Sequence, residues 1–277
     1  MMSIEGVAFE FRADAWVLMA GLAAGYFWAL RNLGPRLAAD ASRGRPARRQ
    51  RRRFVAGLLV LGVAVSWPID TIGDGYLFSV HMLQYLIMSF VAAPLLVSGT
   101  PGWLLDALTE PIRPFVHRIT RPVVALLIFN TVLVLSHWPR LVDFYLRSDP
   151  VHFGMHVLWV AAALVFWMPV LSPCPDRFPR LSPPTQMVYL FLSSVIPTFP
   201  ASFLTWAETP FYPAYAEAPR LWGITPIEDI QTAGLVMKLG GGIFLWTFIT
   251  VLFFRWAPSQ RDSPPRPAAA TPEAAQP

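Results

Sequence analysis

A run of 22 residues without a formal charge, Leu77 to Ser98, constrains this chain more than any other stretch. At 1.5 Å per residue, such a run crosses the ~30 Å hydrocarbon layer of a bilayer as one helix. At its start, His81, Gln84, Tyr85 and Met88 follow the spacing i, i+3, i+4 and i+7, so they share one helix face. In lipid those polar groups would go unsatisfied, so the stripe must face other protein or a water-filled cavity. The rest of the chain must therefore supply helices that cover it.

Composition shows that it can. The chain is 55% hydrophobic and 14% charged, with 20 Phe and 11 Trp among 277 residues, whereas a soluble domain carries roughly a quarter charged residues. The apolar runs are continuous, without the period-2 alternation of a membrane β-barrel. The expected fold class is all-α, a polytopic membrane bundle of seven transmembrane helices. The single cysteine, Cys174, excludes an internal disulfide and any CxxC metal clamp. The net charge of +5 does not point to nucleic acid. Nine arginines cluster in one loop, residues 31–53, beside a membrane helix, where they read as a topology signal and a contact for anionic lipid in the bilayer.

The expected spans are residues 14–30, 54–68, 77–98, 122–137, 151–171, 186–204 and 231–254. Together they make a transmembrane domain of 14–255. Residues 1–13 lack the basic start of a signal peptide and form an outer segment. A Pro- and Ala-rich tail, 256–277, is expected to be a disordered cytoplasmic extension. With the 31–53 loop inside, seventeen arginines fall on cytoplasmic segments and four on outer ones. That asymmetry puts the N-terminus outside and the C-terminus in the cytoplasm.

This topology assigns a depth to each histidine. His81 begins its span, His137 ends one, and His152 and His156 begin another, all at the outer level; His117 alone lies inside. His152, Met155, His156 and Trp159 again follow i, i+3, i+4 and i+7, and a His-x-x-x-His pair on one helix face can hold a metal ion. His81, His137, His152 and His156, supplemented by Met88 and Met155, make a candidate metal site. Imidazole with thioether suits copper, the thioether favouring Cu(I). The plainer alternative makes each histidine an interfacial residue bonded to water, headgroups or carbonyls. Asp70, Asp74, Asp143 and Glu208 read as solvated loop acids. In the last span, Gln231, Gly234 and Lys238 share a face. Lys238 lies about 10 Å below the expected start of that span, and could snorkel, pair with an acid such as Asp229, or bind an anion.

HMLQYLIMSFVAAPLLVSGTP from His81 resembles the signature of the CtaG family of cytochrome c oxidase assembly factors, of the caa3 type. The resemblance continues in SHWP from Ser136, HFGMHVLWVAAALVFWMPVLSP from His152, PFYPAY from Pro210 and DIQTAGLVM from Asp229. It implies a multi-pass protein of the bacterial inner membrane and a chaperone-like, non-enzymatic role in maturing the oxidase copper centres. Oxidase subunits would be its partners, with other copper chaperones upstream. The family's recurring histidines fall on His81, His137, His152 and His156. The chain departs from the family where Tyr85 stands in place of a second histidine, and where Lys238 replaces a common aromatic.

Two other functions compete. A copper transporter of CopD type would need polar groups through the full depth of the membrane, yet the inner halves of these spans are nearly all apolar. A haem protein would pair His81 or His137 with a histidine of the 151–171 span as axial ligands. A hydrolase has no supporting motif beyond the adjacent Ser136 and His137.

Overall fold

A computed structural model describes residues 3–4, 7–37 and 48–261. The chain is all-α apart from a two-residue antiparallel pair, Ser3–Ile4 with Val7–Ala8. Among the described residues, five helices are long and apolar enough to cross a membrane: Ala13–Asn32, Phe78–Gly99, Asp149–Leu171, Pro183–Thr205 and Pro226–Pro258. Two bent pairs, Arg48–Ala64 with Ile69–Gly75 at 43° and Gly102–Ile119 with Pro122–Ser136 at 83°, bring the number to seven if each pair makes one span. The perimeter carries Leu59, Val63, Val123, Phe199, Phe203, Ile243 and Phe254, each more than 60% exposed. A surface of that kind belongs in lipid, and the chain is a multi-pass membrane protein.

Phe78–Gly99 is the centre of the bundle. Of its most apolar 18-residue stretch 72% is buried, against 22% for Ala13–Asn32 and 11% for Pro226–Pro258. It widens into a π-type turn at Ile87–Ala92 and resumes as Ala93–Gly99. Its first turn has no cap of its own and takes one from elsewhere. The buried Asp229 carboxylate accepts from the Phe78 N–H at 2.7 Å, the Ser79 N–H at 3.0 Å and the Ser79 hydroxyl at 2.6 Å. A carboxylate there satisfies donors that a helix start leaves open and meets the positive end of the helix dipole. Asp229→Ala should therefore lower stability by about 1–3 kcal/mol, read as a drop in Tm of the purified protein. An unchanged Tm would remove the cap from the account.

Four boundaries differ from the sequence expectation, each for a local reason. The second span begins at Arg48, inside the basic cluster, and stops at Ala64. What reads as an acidic turn is a separate helix, Ile69–Gly75, started after Pro68. The last span begins at Pro226 rather than Gln231, because Thr225 and Glu228 form a capping box with Pro226 at the first helical position. It bends through a π-type turn at Val236–Gly240, and its final helix runs from Gly241 to Arg261, past the expected end at 254. The expected disorder of the tail beyond 261, and residues 38–47 of the basic loop, lie outside the described residues.

Candidate metal site

The short helix Ile69–Gly75 carries Asp70 and Asp74 four residues apart, hence on one face. Its approach to the central helix depends on Gly73. A Cβ there would stand 3.1 Å from the His81 nitrogen and 3.2 Å from its Cα, so any larger residue would push the two backbones apart. Tyr215, from the outer-loop segment PFYPAY, donates from its hydroxyl to the Gly73 carbonyl at 2.7 Å and fixes the turn from above. Across from these acids, Asp149–Leu171 presents His152, His156 and Trp159 on the face its spacing dictates, all buried.

The result is a cluster of one carboxylate and three imidazoles. Asp74, His81, His152 and His156 each offer one donor atom, and these atoms all lie within 4.8 Å of one another. The His81 Nδ1 is 3.4 Å from Asp74 Oδ1, and the His152 Nδ1 is 3.0 Å from Asp74 Oδ2. Tetrahedral coordination with bonds of roughly 2.0–2.1 Å puts donors about 3.4 Å apart, so this spacing fits an ion with little rearrangement. The donor atoms are also short of partners. Asp74 Oδ1, His81 Nδ1, His152 Nε2 and His156 Nε2 are all buried without a hydrogen bond. Four such atoms on the residues of one cluster are costly unless something positive sits among them.

Proton placement follows from the same contacts. A carboxylate only accepts, so with no ion bound the His152 Nδ1 carries the proton shared with Asp74, and an ion entering the cluster there displaces it. Aromatic walls restrict the rings further. The Tyr145 ring stacks on His152 at 5.6 Å and 10°, and Trp159 meets His81 edge-on at 5.3 Å.

Asp70 does not join the cluster directly; it anchors the surroundings. Its Oδ1 accepts from Gln84 Nε2 at 2.7 Å, its Oδ2 from Arg12 Nη1 at 2.8 Å, and His156 Nδ1 lies 3.9 Å away. The same Gln84 nitrogen donates to the Ala64 carbonyl at 2.9 Å, tying the end of the second span to the site. Arg12 also reaches Asp14 at 3.0 Å and Asp74 at 3.5 Å. Hydrogen bonding to Asp14 foremost, then the charges of Asp70 and Asp74, raise its pKa beyond the ordinary arginine value against the opposing effect of burial.

The structure places the residues singled out in the sequence unevenly. His81, His152 and His156 come together. His137 stands apart: its Nδ1 faces the Leu133 carbonyl at 2.5 Å, its Nε2 lies 3.1 Å from the Met82 sulfur, and its carbonyl accepts from the Tyr212 hydroxyl at 3.0 Å. Met88 lines a cavity of about 230 Å³ with His156, Asp70 and Arg12, while Met155 packs half-buried against the core. Tyr85 is buried with its ring 5.6 Å from His137 and 5.1 Å from Trp159, away from Asp74. Gln231 donates to the Ala207 carbonyl at 3.0 Å, and Asp229 caps the central helix. Lys238 is exposed on the perimeter.

Asp70 and Asp74, read from the sequence as solvated acids, are the correction. Asp70 is 2% exposed and Asp74 is within reach of two imidazoles. Their i, i+4 spacing, four residues like that of the histidine pair, is the signal that marks them. With a carboxylate in and both thioethers out, the donor set is three nitrogens and one oxygen. Such a set suits Cu(II) or Zn(II) rather than Cu(I).

A family model described as cytochrome c oxidase caa3 assembly factor (Caa3_CtaG) matches residues 24–259. No curated protein and no solved structure matches the chain.

Proposed function

The chain belongs to the family of cytochrome c oxidase caa3 assembly factors, and from that membership we propose that it holds copper for the oxidase at Asp74, His81, His152 and His156. The observation that carries this reading is the set of orphaned, buried donors in that cluster. The ion is cargo: the chain binds it as Cu(II) and passes it to an oxidase subunit without catalysing a reaction. Seven spans with the N-terminus outside would put the cluster near the outer face of the bacterial inner membrane, where the arginine asymmetry supports that orientation. Tyr145 and Trp159 wall the three buried imidazoles, while the Asp74 side chain, 20% exposed, leaves the ion a way out to a partner.

A strain lacking the chain should have low caa3-type oxidase activity, partly restored by millimolar copper in the medium. Without added copper the activity should need the cluster, so a copy carrying His152→Ala and His156→Ala should behave as the deletion. Full oxidase activity with that copy would end the copper reading while leaving the family role intact. The competing transporter and haem readings predict copper uptake into proteoliposomes and a Soret band respectively; the copper-holding reading predicts neither.

A further inference from the structure

Lys238 is the one lysine of the chain, and it stands on the lipid-facing side of an apolar helix. It lies 12 residues after Pro226 and 20 before Pro258 in the same span, or roughly 18 Å along the helix from its start. Its neighbours on that face, Leu235, Leu239, Ile243 and Trp246, are 43–68% exposed. A cation at such a place is expensive and is normally found with a partner. Among the described residues no carboxylate pairs with it. Both Asp229 oxygens are taken by Phe78 and Ser79, and Glu228 is taken by Thr225.

The surroundings of Lys238 leave its charge without an opposite one. With Ser194, Thr198 and Ser202 of the neighbouring span it lines a groove of about 440 Å³ that is open to the perimeter. The Ser194 and Thr198 hydroxyls donate to carbonyls of their own helix, at 2.7 and 3.1 Å, so their remaining lone pairs can accept from the ammonium. Beside the groove, Ser193 is fully buried without a partner for its hydroxyl, in a separate small cavity of about 10 Å³ that Lys238 also lines. The hydroxyls offer the ammonium only neutral acceptors, and among the described residues no carboxylate balances its charge.

We propose that this groove binds a transmembrane helix of another protein through an aspartate or glutamate carried within its apolar span. Charge complementarity selects the carboxylate, and depth selects its source. Lipid phosphates lie at the membrane surface, whereas the groove is flanked by apolar side chains above and below. The inference is independent of the metal cluster, so either can fail without the other.

The test uses the full-length protein in phosphatidylcholine bilayers and a labelled single-span Leu/Ala peptide with one mid-span Glu, compared with its Gln twin. Association read by energy transfer should favour the Glu peptide about 3- to 30-fold. Lys238→Met should abolish the preference, Lys238→Arg should keep it, and Lys238→Glu should transfer it to a peptide bearing Lys. Equal binding of the two peptides to the unaltered protein would overturn the proposal. So would a preference that survives Lys238→Met, or one erased by 20% phosphatidylglycerol, which would assign the groove to lipid.

Discussion

A chain carrying both His152→Ala and His156→Ala should lose its metal, falling from about one copper per protein to under a tenth. The two imidazoles belong to two of the four residues whose donor atoms converge. Removing them leaves Asp74 and His81, which cannot enclose an ion. His152 has a second part, because its Nδ1 lies 3.0 Å from Asp74 and holds that carboxylate in place. Single substitutions should therefore rank, with His152→Ala weaker in binding than His156→Ala. Elemental analysis of purified protein gives the stoichiometry, and the Cu(II) electron paramagnetic resonance spectrum should report nitrogen ligands. His137→Ala is the discriminating control. It should leave the metal in place, since His137 is turned towards Leu133 and Met82. Copper retained in the double variant, or lost in His137→Ala, would place the site elsewhere.

The periodicity of the helix made half of this cluster legible. His81 with Gln84, and His152 with His156, lie on faces that the 3.6-residue repeat fixes whatever the tertiary structure, and both faces are buried as that repeat implies. His137 shows where the reasoning stops. Depth along a helix can be counted, but a lone histidine at a helix end has no companion to mark its azimuth, so level with the others did not mean facing them. Asp70 and Asp74 were hidden for a different reason. Pro68 interrupts the second span, and acids just past a span end are ordinarily solvated. Their burial depends on Arg12, 58 residues away in sequence, and on Tyr215, 142 residues from Gly73. No local pattern carries contacts of that length. The boundary of the last span, by contrast, was written in Thr225-Pro226 and Glu228, a capping signal in plain view.

Arg12 should prove the most sensitive residue outside the cluster. Asp70 is 2% exposed and takes a hydrogen bond from Arg12 at 2.8 Å. Its other oxygen is satisfied by neutral Gln84. Arg12→Leu would leave a buried carboxylate without its counter-charge, a change that costs roughly 3–5 kcal/mol when one partner of a buried pair is removed. Because the Arg12 side chain is itself 17% exposed, the lower end of that range is expected. Asp70→Asn placed on top of Arg12→Leu should recover most of the loss, since an amide needs no counter-charge and still accepts from Gln84. The comparison forms a double-mutant cycle whose coupling should exceed 1 kcal/mol, as contacting charged pairs do. Chemical-denaturant or thermal unfolding in detergent would measure it. Additive losses from the two substitutions would show that Arg12 and Asp70 are stabilised separately. In that case Arg12 would be held by Asp14 and Asp74 rather than by Asp70.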